Sequence, residues 1–130
     1  LRVKGADTLG VVGPGLVRGW SPDGKGIRTL VNGKVVQESG FDGMIWDMAY
    51  LVTDIARLIT LVPGDLILSG TPANSRPVQP GDVVTVEVEG LGVLENTIVQ
   101  GASEVSTEAG WPPMVSDKTL GVAMGEQLRE

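Results

Sequence analysis

A short polar corner in the middle of the chain has residue types that suit the binding of an acid. The apolar residues 66–68 run into Ser69-Gly70-Thr71-Pro72, which predicts a short buried strand that ends in a sharp turn. Gly70 leaves the backbone open to approach and Thr71 adds a hydroxyl, so the corner can offer an N–H and an O–H to a carboxylate. A turn that only ends a strand would have the same sequence, and the residues alone leave both interpretations open.

Three further charged residues have types that could do chemistry. Glu87 and Glu89 lie two apart in a strand-like stretch, so their carboxylates would point to one side and could chelate an ion. They alternate with valines, which favours the solvent-facing side of a half-buried strand instead. Lys4, taken alone, has the character of a solvated surface cation.

The residue types that are missing restrict the chemistry further. The 130 residues include no His and no Cys, so a Ser-His-Asp site, a thiol nucleophile, a disulfide and a zinc-thiolate centre are excluded within this chain. A metal held here would need oxygen ligands and would be a hard cation such as Mg²⁺, Mn²⁺ or Ca²⁺. The net charge of −6 argues against nucleic-acid binding, and no apolar run approaches the roughly 18 residues of a membrane span. We expect a soluble, cytoplasmic protein.

The elements that must position these residues are mostly strands. Asn32-Gly33, between residues 27–31 and 34–37, predicts a β-hairpin. Apolar residues at intervals of three and four predict one long helix over residues 44–62 with one buried face, which Pro63-Gly64-Asp65 ends. Residues 84–88 and 93–99 are typical of two more strands. We expect one domain with a sizeable core over residues 1–102, and an arm or partly disordered tail over residues 103–130.

A series of short motifs also occurs in a specific order along residues 1–100. In chain order they are Lys4-Gly5-Ala6-Asp7, Gly13-Pro14, Val31-Asn32-Gly33-Lys34-Val35-Val36-Gln37, Met44-Ile45-Trp46-Asp47, Leu61-Val62-Pro63-Gly64-Asp65, Leu68-Ser69-Gly70-Thr71-Pro72, Gln79-Pro80-Gly81-Asp82 and Val86-Glu87-Val88-Glu89-Gly90-Leu91-Gly92. This order resembles the C-terminal part of the catalytic domain in the fumarylacetoacetate hydrolase family. Leu1-Arg2-Val3-Lys4, followed by Asp7 and Gly10, most resembles the 2-hydroxyhepta-2,4-diene-1,7-dioate isomerases and 5-oxopent-3-ene-1,2,5-tricarboxylate decarboxylases of that family.

The resemblance implies a fold and a reaction class. The fold would be α+β and mainly β: a mixed β-sandwich roll with one long helix, usually in a homodimer. The cofactor would be Mg²⁺ or Mn²⁺, which stabilises an enolate as a Lewis acid, and the substrate a 2-oxo or 2-hydroxydienoic dicarboxylic acid from aromatic-compound catabolism. Isomerisation or decarboxylation is the leading hypothesis, and hydrolysis of an acylpyruvate or fumarylpyruvate is the alternative. A non-catalytic β-rich binding or assembly module is the alternative from another class.

The resemblance also implies roles for individual residues. Lys4 is the expected catalytic residue, because its ammonium would approach the substrate carboxylate or the enolate oxygen. Lys4, Gly70 and Thr71 would bind the substrate together. The metal-binding carboxylates of the family lie upstream of the Lys4 motif, so we expect no metal ligand in this chain and a supplying segment before Leu1. Asp7 would brace the loop or orient Lys4.

Three other residues near these motifs have less specific expectations. Trp46 and Tyr50 are at helical spacing, which predicts a place in the core or in a subunit contact. Arg76 follows the Thr71 corner in a loop that contains prolines. Its guanidinium would either add positive charge at the rim of the pocket or remain solvated.

Overall fold

A single small antiparallel sheet dominates the structure. The computed structural model describes residues 7–101 together with residues 116, 117 and 121, and within them four strands form one sheet in the order β2-β1-β3-β4. The elements in chain order are β1 (Gly26–Val31), β2 (Lys34–Gly40), a 3₁₀ helix (Phe41–Gly43), α1 (Met48–Ala56), β3 (Val83–Val88) and β4 (Gly92–Thr97). One sheet with one helix agrees with the α+β, mainly β prediction. The described residues do not form a second sheet, so they do not themselves make the expected sandwich roll.

The β1–β2 hairpin is confirmed at its turn. Asn32 and Gly33 both have positive φ, 50° and 77°, as a two-residue hairpin turn requires. The two strands pair antiparallel, with Val31 opposite Lys34 and Thr29 opposite Gln37. The register shifts between Thr29 and Leu30, so β2 has a β-bulge just before Gln37.

The β3–β4 hairpin is present with slightly different bounds. β4 ends at Thr97 rather than at residue 99, and Val86 of β3 pairs with Leu94 of β4. All six residues of β3 are half-buried, whereas the alternating pattern predicts one apolar and one wet face. Arg28 of β1 pairs with Glu87 and covers part of the glutamate side, while the valines of β3 are only half-buried.

The long helix is shorter than predicted at both ends. Asp47 is the N-cap, and its side chain accepts a hydrogen bond from the Tyr50 N–H at 2.7 Å, so α1 begins at Met48. α1 ends at Ala56, before the predicted end at residue 62. The Val62 N–H donates instead to Asp65 Oδ2 at 2.8 Å, and the following proline disfavours helical geometry at Val62. The apolar pattern therefore continues to residue 62, beyond the end of the helix itself at Ala56.

The predicted core and the predicted strand over residues 66–68 are both wrong for the part of the chain that the structure describes. No apolar side chain there is buried, and α1 has no buried face. Residues 66–68 pair with no strand, and Leu66 and Leu68 are each 58% exposed. Strands and helices obtain most of their stability by covering one another's apolar faces, and no described element covers these.

A cluster of hydrogen bonds connects the β1–β2 turn to the start of β3. Asn32 Nδ2 donates to Asp82 Oδ1 at 2.8 Å, and the Val83 N–H donates to Asn32 Oδ1 at 2.9 Å. The Gln79 N–H donates to Asp82 Oδ2 at 2.8 Å. These hydrogen bonds, the one from Gln79 first and the one from Asn32 second, lower the pKa of Asp82 below its ordinary value of 3.8.

Asp82→Asn in the full-length protein is expected to lower the melting temperature at neutral pH, because an amide cannot accept both hydrogen bonds. The folded-state pKa of Asp82 lies below its unfolded value, so the carboxylate stabilises the fold above pH 3.8 and loses this effect as the pH falls through the folded-state pKa. Thermal unfolding at neutral pH and below pH 3.8 measures the difference. Asp23→Asn is the control, since among the described residues its carboxylate accepts only from the nearby Ser21 hydroxyl. An Asp82→Asn deficit that is unchanged in acid would contradict this account.

Two sequence expectations lie outside the described residues. Lys4 is one of them, and the predicted arm over residues 103–130 is described only at residues 116, 117 and 121. Both therefore remain predictions. Among the residues that are described, no helix is long and apolar enough to span a bilayer.

Candidate functional site

A cavity of about 570 Å³ lies beside the predicted polar corner. Residues 69–73 supply part of its lining, and the end of β2, the 3₁₀ helix and residues 44–46 supply most of the rest. The lining side chains are apolar or hydroxyl-bearing, and none of those that line it carries a charge. The described walls can therefore pack against a carbon skeleton and donate hydrogen bonds. They cannot neutralise the charge of a bound acid.

The corner lies in irregular backbone: residues 69–72 form no strand and no turn, so the predicted sharp turn after residues 66–68 is wrong. Gly70 has φ +110°, a conformation that L-side chains rarely adopt, and a Cβ at this position would meet no atom within 4 Å. Thr71 is exposed, and its hydroxyl donates to Gln37 Oε1 at a long 3.4 Å. Within residues 7–101, the N–H groups of Gly70 and Thr71 have no hydrogen-bond partner. The structure thus brings both predicted residues to one cavity, with unused donors.

Gln37 fixes this corner to the sheet and was not anticipated from the sequence. Its side chain is 7% exposed, and its Nε2 donates to Pro72 O at 2.6 Å and to Ala73 O at 3.2 Å. The available signal was weak: a polar residue directly after two valines in a predicted strand. That pattern is equally typical of a solvent-facing position.

The other predicted site residues are less closely connected to the cavity. Trp46 lines it and stacks on Tyr50 with ring centroids 6.0 Å apart. They are 55% and 51% exposed, so the expectation of a core position is wrong and the subunit-contact alternative stays a prediction. Arg76 is exposed and does not line the cavity. Asp7 lies in an exposed turn, and its relation to Lys4 is untested.

Glu87 and Glu89 each bind a neighbouring cation, and Glu89 lies in the turn that follows the end of β3 at Val88. Glu87 Oε2 forms an ion pair with Arg28 Nε on β1. Glu89 lies 3.8 Å from Lys25 Nζ and accepts the Gly26 N–H at 3.3 Å. In the part of the chain that the structure describes, no group of three Asp or Glu side chains could hold a metal ion. The described residues therefore do not fit the metal that the resemblance implies, and we assign them no metal-dependent step.

Comparison with known proteins gives a consistent result. Residues 1–99 match the family model described as fumarylacetoacetate (FAA) hydrolase C-terminal. A 4-hydroxyphenylacetate degradation bifunctional isomerase/decarboxylase from Salmonella dublin is 39% identical over 102 residues, which cover 76% of this chain and 24% of that protein. The crystal structure of 2-hydroxyhepta-2,4-diene-1,7-dioate isomerase from Mycobacterium marinum has a TM-score of 0.67 at 42% identity, and the match covers 70% of this chain and 36% of that one.

A hydrolase is also among the similar structures. The crystal structure of fumarylpyruvate hydrolase from Pseudomonas aeruginosa, in complex with Mn²⁺ and pyruvate, has a TM-score of 0.57 at 34% identity. The match covers 59% of this chain and 33% of that one. The chain spans only about two fifths of the length of several curated relatives.

Proposed function

The chain belongs to the fumarylacetoacetate hydrolase family, in the part that corresponds to the family's C-terminal domain, and from this premise we propose that it carries the acid-binding corner of an isomerase or decarboxylase. The substrate class is 2-hydroxydienoic or 2-oxo dicarboxylic acids from aromatic-compound catabolism. Similarity to relatives named as isomerases and as an isomerase/decarboxylase supports this reaction class.

The observation that carries the proposal is the Gly70-Thr71 corner. Gly70 and Thr71 line a cavity of about 570 Å³. Among residues 7–101 their N–H groups have no hydrogen-bond partner, and the Thr71 hydroxyl has one long bond, to Gln37 Oε1. Hydrogen bonds from such donors to a carboxylate are charge-assisted and stronger than neutral ones. The carbon chain of the acid would pack against the apolar lining residues nearby.

A second part of the proposal concerns the missing positive charge. The described cavity lining carries no cation, although a dicarboxylic acid brings negative charge that must be balanced when it leaves water. Lys4 is the residue of this chain that we assign to that role. Its ammonium would bind the substrate carboxylate, or stabilise or protonate the developing enolate oxygen.

The remaining parts of the site are assigned to residues beyond the described part of the chain. We propose that carboxylates of a segment before Leu1 hold Mg²⁺ or Mn²⁺, as similar structures with Mn²⁺ support. The same segment, or a second copy of the chain in a homodimer, would cover exposed apolar residues such as Leu16 and Ile45, 85% and 87% exposed. This would complete the sandwich roll. The assembled enzyme would act in the cytoplasm.

The alternative activity is hydrolysis of an acylpyruvate or fumarylpyruvate. Similarity to a fumarylpyruvate hydrolase supports it. Both activities use a 2-oxo acid carboxylate, and the same corner would bind it in either reaction. The non-catalytic module remains the alternative from another class.

A kinetic comparison of the purified full-length protein separates these functions. With Mg²⁺ or Mn²⁺ present, we expect turnover of a 2-hydroxydienoate dicarboxylic acid with a higher kcat/KM than that of acylpyruvates. We expect dialysis against a chelator to abolish the turnover and either cation to restore it. Turnover of acylpyruvate alone would replace the isomerase or decarboxylase by the hydrolase. A folded protein that turns over neither substrate with either cation would favour the binding module.

A further inference from the structure

Gln37 has an environment unlike that of any other polar side chain in the described residues. At 7% exposure it is the most buried polar side chain among them, although it lies on β2, an edge strand of the sheet. Burial of an amide is costly unless its donors and acceptor are all used. At a buried position on an edge strand, the N–H donors and the oxygen of this amide therefore need hydrogen-bond partners outside the sheet.

The amide uses both of its donors and its acceptor on three consecutive residues. Nε2 donates to Pro72 O and Ala73 O, and Oε1 accepts the Thr71 hydroxyl. Pro72 and Ala73 directly follow the Gly70-Thr71 corner. Within the described chain, these are the only hydrogen bonds that any residue from 66 to 78 makes. In the part of the chain that the structure describes, no strand pairing and no other side chain holds residues 66–78 by hydrogen bonds.

The position of Gln37 on β2 helps its side chain to reach residues 71–73. The register shift between Thr29 and Leu30 places a bulge at the residue before Gln37, and bulges commonly redirect a side chain out of the regular alternation. Gln37 does not line the cavity, so it is not placed to touch a bound acid. It can act on the acid only through the corner.

We propose that Gln37 is a positioning residue that holds the Gly70-Thr71 corner in the geometry that binds the substrate carboxylate. This inference rests on the proposed function of that corner. The two bonds from Nε2 fix the backbone. The Thr71 hydroxyl has only the long 3.4 Å bond to Oε1, which it can exchange for a stronger charge-assisted bond to a carboxylate. The donors are therefore aligned before the acid arrives, which lowers the cost of binding.

The test is a double-mutant cycle between Gln37→Met and Thr71→Val in the full-length protein. Methionine keeps the length of the side chain and removes the amide. We expect Gln37→Met to raise KM for the acid about fivefold, as the loss of hydrogen bonds of ordinary strength would, with a smaller effect on kcat. In the Thr71→Val background we expect Gln37→Met to raise KM less than it does alone, because the part of its effect that acts through the Thr71 hydroxyl is already lost and only its hold on the backbone remains. Gln100→Met, at an exposed position, is the matched control and should leave KM unchanged.

The outcomes separate this inference from the proposed function. An unchanged KM in Gln37→Met would overturn the positioning role of Gln37, and so would effects on KM that multiply in the double variant. In both cases the proposed binding of the carboxylate by Thr71 would still stand. An unchanged KM in Thr71→Val would overturn the proposed function and, with it, this inference. If Gln37→Met does not fold, Gln37→Asn enters the same cycle, since asparagine keeps an uncharged amide and withdraws it from Pro72 O and Ala73 O by one methylene group.

Discussion

Lys4→Ala in the full-length protein is expected to lower kcat/KM for the acid on the order of a hundredfold, within the range for loss of a positioned proton donor or charge. The physical reason is the uncharged cavity lining: the described lining residues offer the acid hydrogen bonds and no countercharge. The fold should be nearly unaffected, because a solvated cation adds little stability. Steady-state kinetics and the melting temperature measure the two effects separately.

Lys34→Ala is the matched control for this experiment. Lys34 is an exposed lysine at the start of β2, and its removal changes the net charge of the protein by the same amount. It should therefore reproduce any general electrostatic effect without the local one. If Lys4→Ala and Lys34→Ala have the same small effect on kcat/KM, Lys4 does not act at the site.

Thr71→Val is expected to raise KM for the acid about tenfold or more, which corresponds to the loss of one hydrogen bond to a charged group. Valine has nearly the shape of threonine, so the corner should keep its backbone. The melting temperature should fall slightly, because buried Gln37 Oε1 loses its one hydrogen bond among the described residues, and that bond is long at 3.4 Å. Competition by a simple 2-oxo acid, measured on both proteins, gives the affinity directly.

The control for the threonine variant is Thr60→Val, at an exposed position where the side chain makes no hydrogen bond among the described residues. It removes a hydroxyl without touching the cavity. A KM that rises equally in Thr60→Val and Thr71→Val would show that the hydroxyl of the corner has no specific role.

Features that depend on local backbone chemistry were predictable from the sequence. Asn32-Gly33 specifies its hairpin because both residues tolerate positive φ, and this is the conformation found. Gly70 and Thr71 line one cavity together because they are consecutive in the sequence. The Asp65 side chain also acts locally, since it accepts the Val62 N–H three residues earlier.

Features that depend on distant contacts were not predictable in the same way. The spacing of apolar residues indicates which side of a helix is apolar, and it does not indicate where helical hydrogen bonding ends. The prediction of a helix over residues 44–62 is therefore too long, since α1 covers only Met48–Ala56. Gln37 was missed because its partners are 34 to 36 residues away, and two of them are backbone carbonyls. A carbonyl has no sequence signature. The same limit applies to the covering of the apolar residues 66–68, which no local pattern can reveal.

The most direct test is a crystal structure of the full-length protein with Mn²⁺ and pyruvate, the simplest 2-oxo acid. We predict that the amine of Lys4 and the hydroxyl of Thr71 both lie within about 3.2 Å of oxygen atoms of the same pyruvate molecule, a hydrogen-bonding distance. The acid should occupy the cavity beside residues 69–73. A structure in which Lys4 and Thr71 face no common cavity, with pyruvate bound elsewhere, would contradict the account.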